Sequence, residues 1–444
     1  MGFRHGTRAA ACLPWVIGAL LLTAFAPAPA GSEDPPPRLS LEQAVELALD
    51  QNHDVRRARE NLARVEGQIQ EAKSEVFPQV DLEADYFRSY DESIRDSDFG
   101  GLISPEASGS YGVRASVRQL LFSWGKVSTA IEIAKDGRRR SNQELASTVR
   151  AVKLQVHETF YRLLLDQRLV AVAEERLAQR RRQLAVAEKK FGAGVVNEFE
   201  VIRARVDLAN AEPPVIRSRN QVRQSVSRLN NLMSRDQRTP FAADGELLYQ
   251  PLGALTLEQV VERAVVRRPE LESLRVSREI AEKAVTIARA GDKPEVNLLG
   301  SYGFAAEQAH DLGPDREKWL AGITFTLPLF DGWRTRGQVA QASSDLHDVA
   351  LATSQLEETI TLQAKVVLDD LTEASQIIDA AILNIDQAEK ALELAETSYR
   401  YGVATALDVT AAQLSLTVAQ VDRAQALHDY MVAKARVLSV MDDL

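Results

Sequence analysis

Residues 360–402 read ITLQAKVVLDDLTEASQIIDAAILNIDQAEKALELAETSYRYG. Apolar residues fall at Ile360, Ala364, Val367, Leu371, Ala374, Ile378, Ala381, Ile385, Ala388, Leu392, Ala395 and Tyr399, in steps of four and three. That alternation is a heptad seam, the mark of a long helix packed along its length. One row of the seam is mostly large and the other mostly alanine, so a neighbouring helix approaches closely. The seam stops at Tyr399-Arg400-Tyr401-Gly402, where glycine supplies the left-handed backbone of a tight reversal. A second helix is predicted from Ala406 to Met441, giving a helical hairpin too long for an ordinary globular core.

The hairpin occurs twice. Counting back 208 positions gives Val152, Val156, Leu163, Val170, Ala173, Leu177, Leu184, Ala187 and Phe191, followed by Gly194. In each copy an aromatic precedes the glycine by three and a carboxylate follows it by six, Glu200 in the first and Asp408 in the second. Asp166 and Arg180 break the seam of the first copy.

Working outward, Leu39-Ser40-Leu41-Glu42-Gln43-Ala44 recurs as Leu255-Thr256-Leu257-Glu258-Gln259-Val260, with Ser40 and Thr256 placed to cap helices. Second helices are predicted over Asp54–Glu75 and Glu270–Arg289, each closing at a proline, Pro78 or Pro294. After each proline the period changes to two. Val80, Leu82, Ala84 and Tyr86 form one face, as do Tyr111, Val113, Ala115 and Val117. In the second copy the faces are Val296, Leu298, Tyr302 and Phe304, then Trp319, Ala321, Ile323, Phe325 and Leu327. Strands of this length and pattern suit a tilted membrane crossing. They suit equally a soluble sheet packed on one face. Tyr90, Tyr111, Phe122, Trp124, Trp319, Phe330 and Trp333 cluster toward strand ends, as interfacial aromatics do. Pro213-Pro214 should kink or interrupt the fourth helix.

The predicted layout is a signal peptide over residues 1–30, a first repeat over 31–233 with a β-hairpin at 79–122 and a helical hairpin at 125–233, a linker or equatorial segment over 234–254, and a second repeat over 255–444 with a β-hairpin at 295–330 and a helical hairpin at 332–441. The signal reading rests on Arg4 and Arg8, an apolar run, and Ala28-Pro29-Ala30. The single cysteine, Cys12, lies within it. After residue 30 no apolar run reaches the length of a transmembrane helix. A net charge of -10 argues against nucleic acid as the partner.

Helix, strand, strand, long helix, glycine turn, long helix, stated twice, resembles the TolC-like outer membrane factor family of outer-membrane efflux proteins. The resemblance covers residues 39 to 441, and its most specific pieces are Leu39 to Ala44, Gly322 to Arg334, and Tyr399 to Val409. It implies an α+β membrane protein: a helical barrel continuing a transmembrane β-barrel that trimerisation completes. The implied function is an outer-membrane exit duct in tripartite efflux or type I secretion. Its implied partners are a periplasmic adaptor and an inner-membrane transporter of the RND or ABC type. The resemblance places adaptor contacts at Gly194, Val195, Gly402 and Val403, and a constricting gate at Asp408, with Glu200 and Tyr399 as latch candidates. Two departures stand out: Ala404 replaces an arginine of the latch and Ala411 a second acid, implying a less tightly latched, less cation-selective channel. Asp408 and Glu200 also suit the first turns of their helices through the macrodipole.

Elementary physics points to the trimer as well. Four strands are too few to close a barrel, and an open edge in lipid leaves backbone groups unpaired; three chains supply twelve strands and no edge. Catalytic readings find little: His157-Glu158 lacks the second histidine of a zincin, Gly192-Ala193-Gly194 follows a helix rather than a strand, and no metal or cofactor set is apparent. The competing reading is a periplasmic coiled-coil scaffold or adaptor with a small soluble sheet.

Overall fold

The computed structural model describes residues 36–89, 108–306 and 314–444. The predicted signal peptide, Tyr90 and most of the two strand-connecting loops lie outside them. In chain order the elements are β1 (Arg38–Leu39), α1 (Leu41–Gln51), α2 (His53–Ser74), β2 (Gln79–Ser89), β3 (Ser108–Phe122), α3 (Lys126–Gly192), α4 (Glu198–Leu232), β4 (Ala242–Ala243), α5 (Leu257–Arg267), α6 (Pro269–Arg289), β5 (Glu295–Ala306), β6 (Glu317–Thr326), α7 (Arg334–Arg400) and α8 (Ala406–Val440). Helices α3 and α7 each contain 67 residues, about 100 Å at 1.5 Å per residue.

The predicted strands form one antiparallel sheet in the order β2-β3-β5-β6. Its register brings the apolar residues onto one face: Val80 opposes Val117, Leu82 opposes Ala115, Leu298 opposes Ile323 and Tyr302 opposes Trp319. Among the described residues nothing covers that face. Leu82 is 77% exposed and Trp319 72%. A soluble sheet would cover such a face with a second layer, so the exposure separates this sheet from the scaffold reading. Strands β2 and β6 are the edges, each with one side unpaired. At Gly303 a Cβ would overlap the Val113 carbonyl, so close approach of β5 to β3 requires the missing side chain.

Each strand continues into a helix, and α2, α3, α6 and α7 pack side by side in the order of their strands. Farther from the sheet the neighbours become α4-α3-α8-α7. The heptad seam accounts for this packing: apart from Thr335, the buried residues of α7 are Ile360, Ala364, Val367, Ala374, Ile378, Ala381, Ile385 and Ala388. Burial of one such isoleucine contributes about 1.5–3 kcal/mol. Toward the turn burial fades, and Tyr399 is exposed. In the first copy, Asp166 is buried within the seam, accepting a 2.6 Å bond from the Ser225 hydroxyl and standing 3.0 Å from the Arg162 guanidinium. The equivalent second-copy positions are Ala374 and Ala433, so an ion pair and a hydrogen bond replace alanine packing there.

Helix α4 departs from expectation. Pro213 and Pro214 lie inside it, and it continues unbroken. The carbonyls they release belong to the exposed residues Ala209 and Asn210, which leaves those carbonyls on the solvent side of the helix. Helices α2 and α6, by contrast, end before their prolines as expected, at Ser74 and Arg289. Residues 234–254 form a belt between the repeats. Ala242–Ala243 pairs in parallel with Arg38–Leu39, and the Tyr430 hydroxyl donates to the Gln250 carbonyl and accepts from the Leu252 amide, both at 2.9 Å. This belt, with α1 and α5, carries the largest buried clusters, around Phe160, Met233, Phe241, Leu271 and Met441. The predicted caps form as reciprocal capping boxes, Ser40 with Gln43 and Thr256 with Gln259.

Candidate functional site

The candidate residues gather at the far ends of the two helical hairpins. Gly194 and Gly402 adopt φ of 72° and 75°. The Val195 amide donates to the Lys190 carbonyl and the Val403 amide to the Ser398 carbonyl, both at 2.9 Å, closing the end of each long helix. The valine side chains then point outward, Val195 71% and Val403 83% exposed. Both turns thus present a small apolar residue at the tip.

Asp408 sits in the first turn of α8 and is held by Thr405. One carboxylate oxygen accepts from the Thr405 amide at 2.8 Å and from its hydroxyl at 2.7 Å, while the Asp408 amide donates back to that hydroxyl. The Thr405 amide and then its hydroxyl lower the carboxyl pKa, so the group is ionised at neutral pH. Glu200 occupies the matching turn of α4, where its amide donates to the Asn197 side chain. Asp408 therefore makes a capping box and Glu200 does not, a difference between two positions the repeat treats as equivalent.

A cleft of about 860 Å³ opens between the hairpins. It brings Glu200 and Tyr399 together with Lys190, Arg182 and Arg203, and Asp408 is not among its lining residues. The Lys190 ammonium lies over the Tyr399 ring, 5.4 Å from its centre. In the cleft wall, Gln183 donates to Gln413 at 2.7 Å, joining α3 to α8, and Arg180 donates to Gln183 at 2.8 Å. Burial lowers the Arg180 pKa. Lys190, Gln183 and Gln413 were not among the sequence candidates; only the break in the seam at Arg180 pointed toward this cluster. Among the described residues, no group of three or more His, Cys, Asp or Glu side chains could hold a metal ion.

Residues 44–235 and 260–441 match the family described as outer membrane efflux protein. The outer membrane protein TolC of Escherichia coli is 22% identical over 431 residues, covering 91% of this chain and 82% of that protein. The probable efflux pump outer membrane protein TtgC of Pseudomonas putida is 23% identical over 392 residues, covering 86% and 78%. Among solved structures, the CmeC outer membrane channel of Campylobacter jejuni superposes with a TM-score of 0.77 at 18% identity, covering 91% of this chain and 85% of that one. Both repeats are matched, each with its strand pair and its long hairpin, and the chain belongs to the outer membrane efflux protein family.

Proposed function

We propose that three copies of this chain form one conduit through the outer membrane and into the periplasm, serving as the exit duct of a tripartite efflux or secretion system. The chain is an outer membrane protein, in keeping with its family. The observation that carries the trimer is the sheet: four strands, two free edges and a bare apolar face. Lipid tolerates such a sheet only when every edge is paired, and twelve strands achieve that. The two repeats, residues 31–233 and 255–444, then supply alternate sectors of the ring, joined by the belt at 234–254 after removal of a signal at 1–30.

In this reading the duct is passive. Gly194, Val195, Gly402 and Val403 receive a periplasmic adaptor, which links the duct to an inner-membrane transporter. Small outward residues at the turns support docking, because they admit a partner's helix tips without steric cost. Asp408, with Glu200 and Tyr399, narrows the periplasmic end; an acidic ring of three Asp408 carboxylates attracts cations.

Native mass measurement in detergent, paired with single-channel recording, tests the duct. A trimer that conducts is expected, and a stable monomer with no pore activity overturns it. Cross-linking in cells from positions beside Gly402 identifies the adaptor, and capture of no envelope component there removes the docking role.

A further inference from the structure

The two links from sheet to long helix are built alike. Leu121-Phe122-Ser123-Trp124-Gly125-Lys126 leads from β3 into α3, and Leu329-Phe330-Asp331-Gly332-Trp333-Arg334 leads from β6 into α7, 208 positions on. In both, two successive residues before the helix adopt left-handed backbone: Trp124 and Gly125 at φ 52° and 81°, Gly332 and Trp333 at 65° and 68°. The order of tryptophan and glycine is exchanged between the copies. Each copy nonetheless keeps a tryptophan in a conformation that bulky side chains rarely adopt, and a second glycine there would relieve the strain. Each tryptophan also meets a phenylalanine edge to face, Trp124 with Phe122 at 5.6 Å between ring centres and Trp333 with Phe330 at 6.1 Å.

The rings stay exposed. Trp333 is 67% exposed and Leu329 91%, in a strip that continues from Ile323, Phe325 and Leu327 on β6 and just beyond it. Packing among the described residues therefore does not account for the strained tryptophans. A medium that takes aromatic rings at its polar boundary does. The two links differ in charge. In the first, the Lys126 ammonium is paired with Glu295 at 2.7 Å, and position 128 is a serine. In the second, the residue equivalent to Ser128 is Arg336, whose guanidinium lies 5.8 Å from the centre of the Trp333 ring. Among the described residues Arg336 has no carboxylate partner. The one carboxylate of this link, Asp331, accepts from the Thr335 amide at 2.8 Å.

We propose that Phe330, Trp333 and Arg336 form a binding site for the headgroup of an anionic phospholipid in the periplasmic leaflet of the outer membrane. The two rings sit at the headgroup boundary, Leu329 reaches the acyl chains, and Arg336 meets the phosphate. Stacking on the indole orients the guanidinium and leaves its N–H groups free for phosphate oxygens. Two features select this occupant: the strip continues the face that the sheet presents to lipid, and its unpaired charge is positive. A zwitterionic headgroup would bring its own ammonium beside the arginine, so an anionic one is preferred. The first link, with Ser128 in place of the arginine, anchors at the boundary without selecting a headgroup. This inference rests on the membrane-spanning trimer proposed above and deepens it by naming the lipid that its rim selects, at one site per copy.

Tryptophan fluorescence tests the site, because Trp124, Trp319 and Trp333 are the only tryptophans after residue 30. Trp124→Phe with Trp319→Phe leaves Trp333 as the reporter. The protein is reconstituted in vesicles of phosphatidylethanolamine and phosphatidylglycerol, with one or the other carrying dibrominated acyl chains. Half quenching is expected at a several-fold lower fraction of brominated phosphatidylglycerol than of brominated phosphatidylethanolamine. Arg336→Gln is expected to erase that preference while the trimer still assembles and conducts. Excess inorganic phosphate is expected to leave the preference unchanged. Equal quenching by the two lipids in a conducting trimer, or a preference that survives Arg336→Gln, overturns the site and leaves the duct standing. A preference abolished by inorganic phosphate also overturns it, since the ligand is then a free anion. Absence of quenching by either lipid overturns it as well, and if the protein is in addition a non-conducting monomer, the duct falls with it.

Discussion

Lys190 and Tyr399 meet between the two hairpin tips, with the ammonium 3.4 Å from the phenolic oxygen and 5.4 Å from the ring centre. One residue comes from each repeat, so the contact ties the hairpins together near the turn. Loss of the contact frees the tips to separate. Lys190→Ala and Tyr399→Ala should both raise the conductance of the resting channel in planar bilayers, and Lys190→Arg should preserve it, because a guanidinium also stacks on the ring. Wild-type conductance in both alanine variants would remove this contact from the constriction.

Asp408 has two roles to separate, a cap and a charge. Its folded-state pKa lies below its unfolded value, so the cap stabilises fully above the unfolded pKa of about 3.9 and is lost as pH falls through the lower folded value. Block by multivalent cations should therefore persist from neutral pH to below about 4, where a free carboxylate would already be half protonated. Asp408→Ala should abolish that block and raise conductance. Thr405→Ala removes the cap and leaves the carboxylate, so it should retain the block. If the two variants behave alike in single-channel records, Asp408 acts only on its helix.

Val195 and Val403 test docking apart from folding. Both are exposed and neither is a turn glycine. Val195→Trp and Val403→Trp should abolish export from cells while the trimer still assembles. Export at wild-type rates from both variants would exclude the tips as the adaptor site.

Tyr430 tests the belt. It is 2% exposed, and its hydroxyl is the partner of both the Gln250 carbonyl and the Leu252 amide. Tyr430→Phe leaves the Leu252 amide without this acceptor and the Gln250 carbonyl with only the Lys434 ammonium, 3.3 Å away, and should cost roughly 1–3 kcal/mol. Thermal unfolding in detergent should shift downward with single-channel conductance unchanged. An unshifted transition would mean water replaces the hydroxyl.

The long hairpins and the strands were legible because each repeats a period over many residues. Ile360 to Ala388 announced both the helix and the face it buries, and Val80 to Tyr86 announced a strand with one apolar side. The β1–β4 pair was not legible, since two residues carry no period and the partner is some two hundred positions away. The path of α4 through Pro213 was missed for another reason: the cost of a proline depends on whether the released carbonyls reach solvent, which sequence does not state. At the tips the glycines marked both turns, and counting from them sets Lys190 four before Gly194 and Tyr399 three before Gly402, nearly level but with no statement that they touch. Their contact depends on how α3 approaches α7, a tertiary quantity.

The doubling of the chain has a geometric consequence. Three chains with two hairpins each produce a ring of quasi-sixfold symmetry at the tips, yet the basic α3–α4 and acidic α7–α8 hairpins alternate and reduce it to threefold. A partner ring with six equal subunits would therefore meet two kinds of landing site, and its subunits would bind in two affinity classes of three.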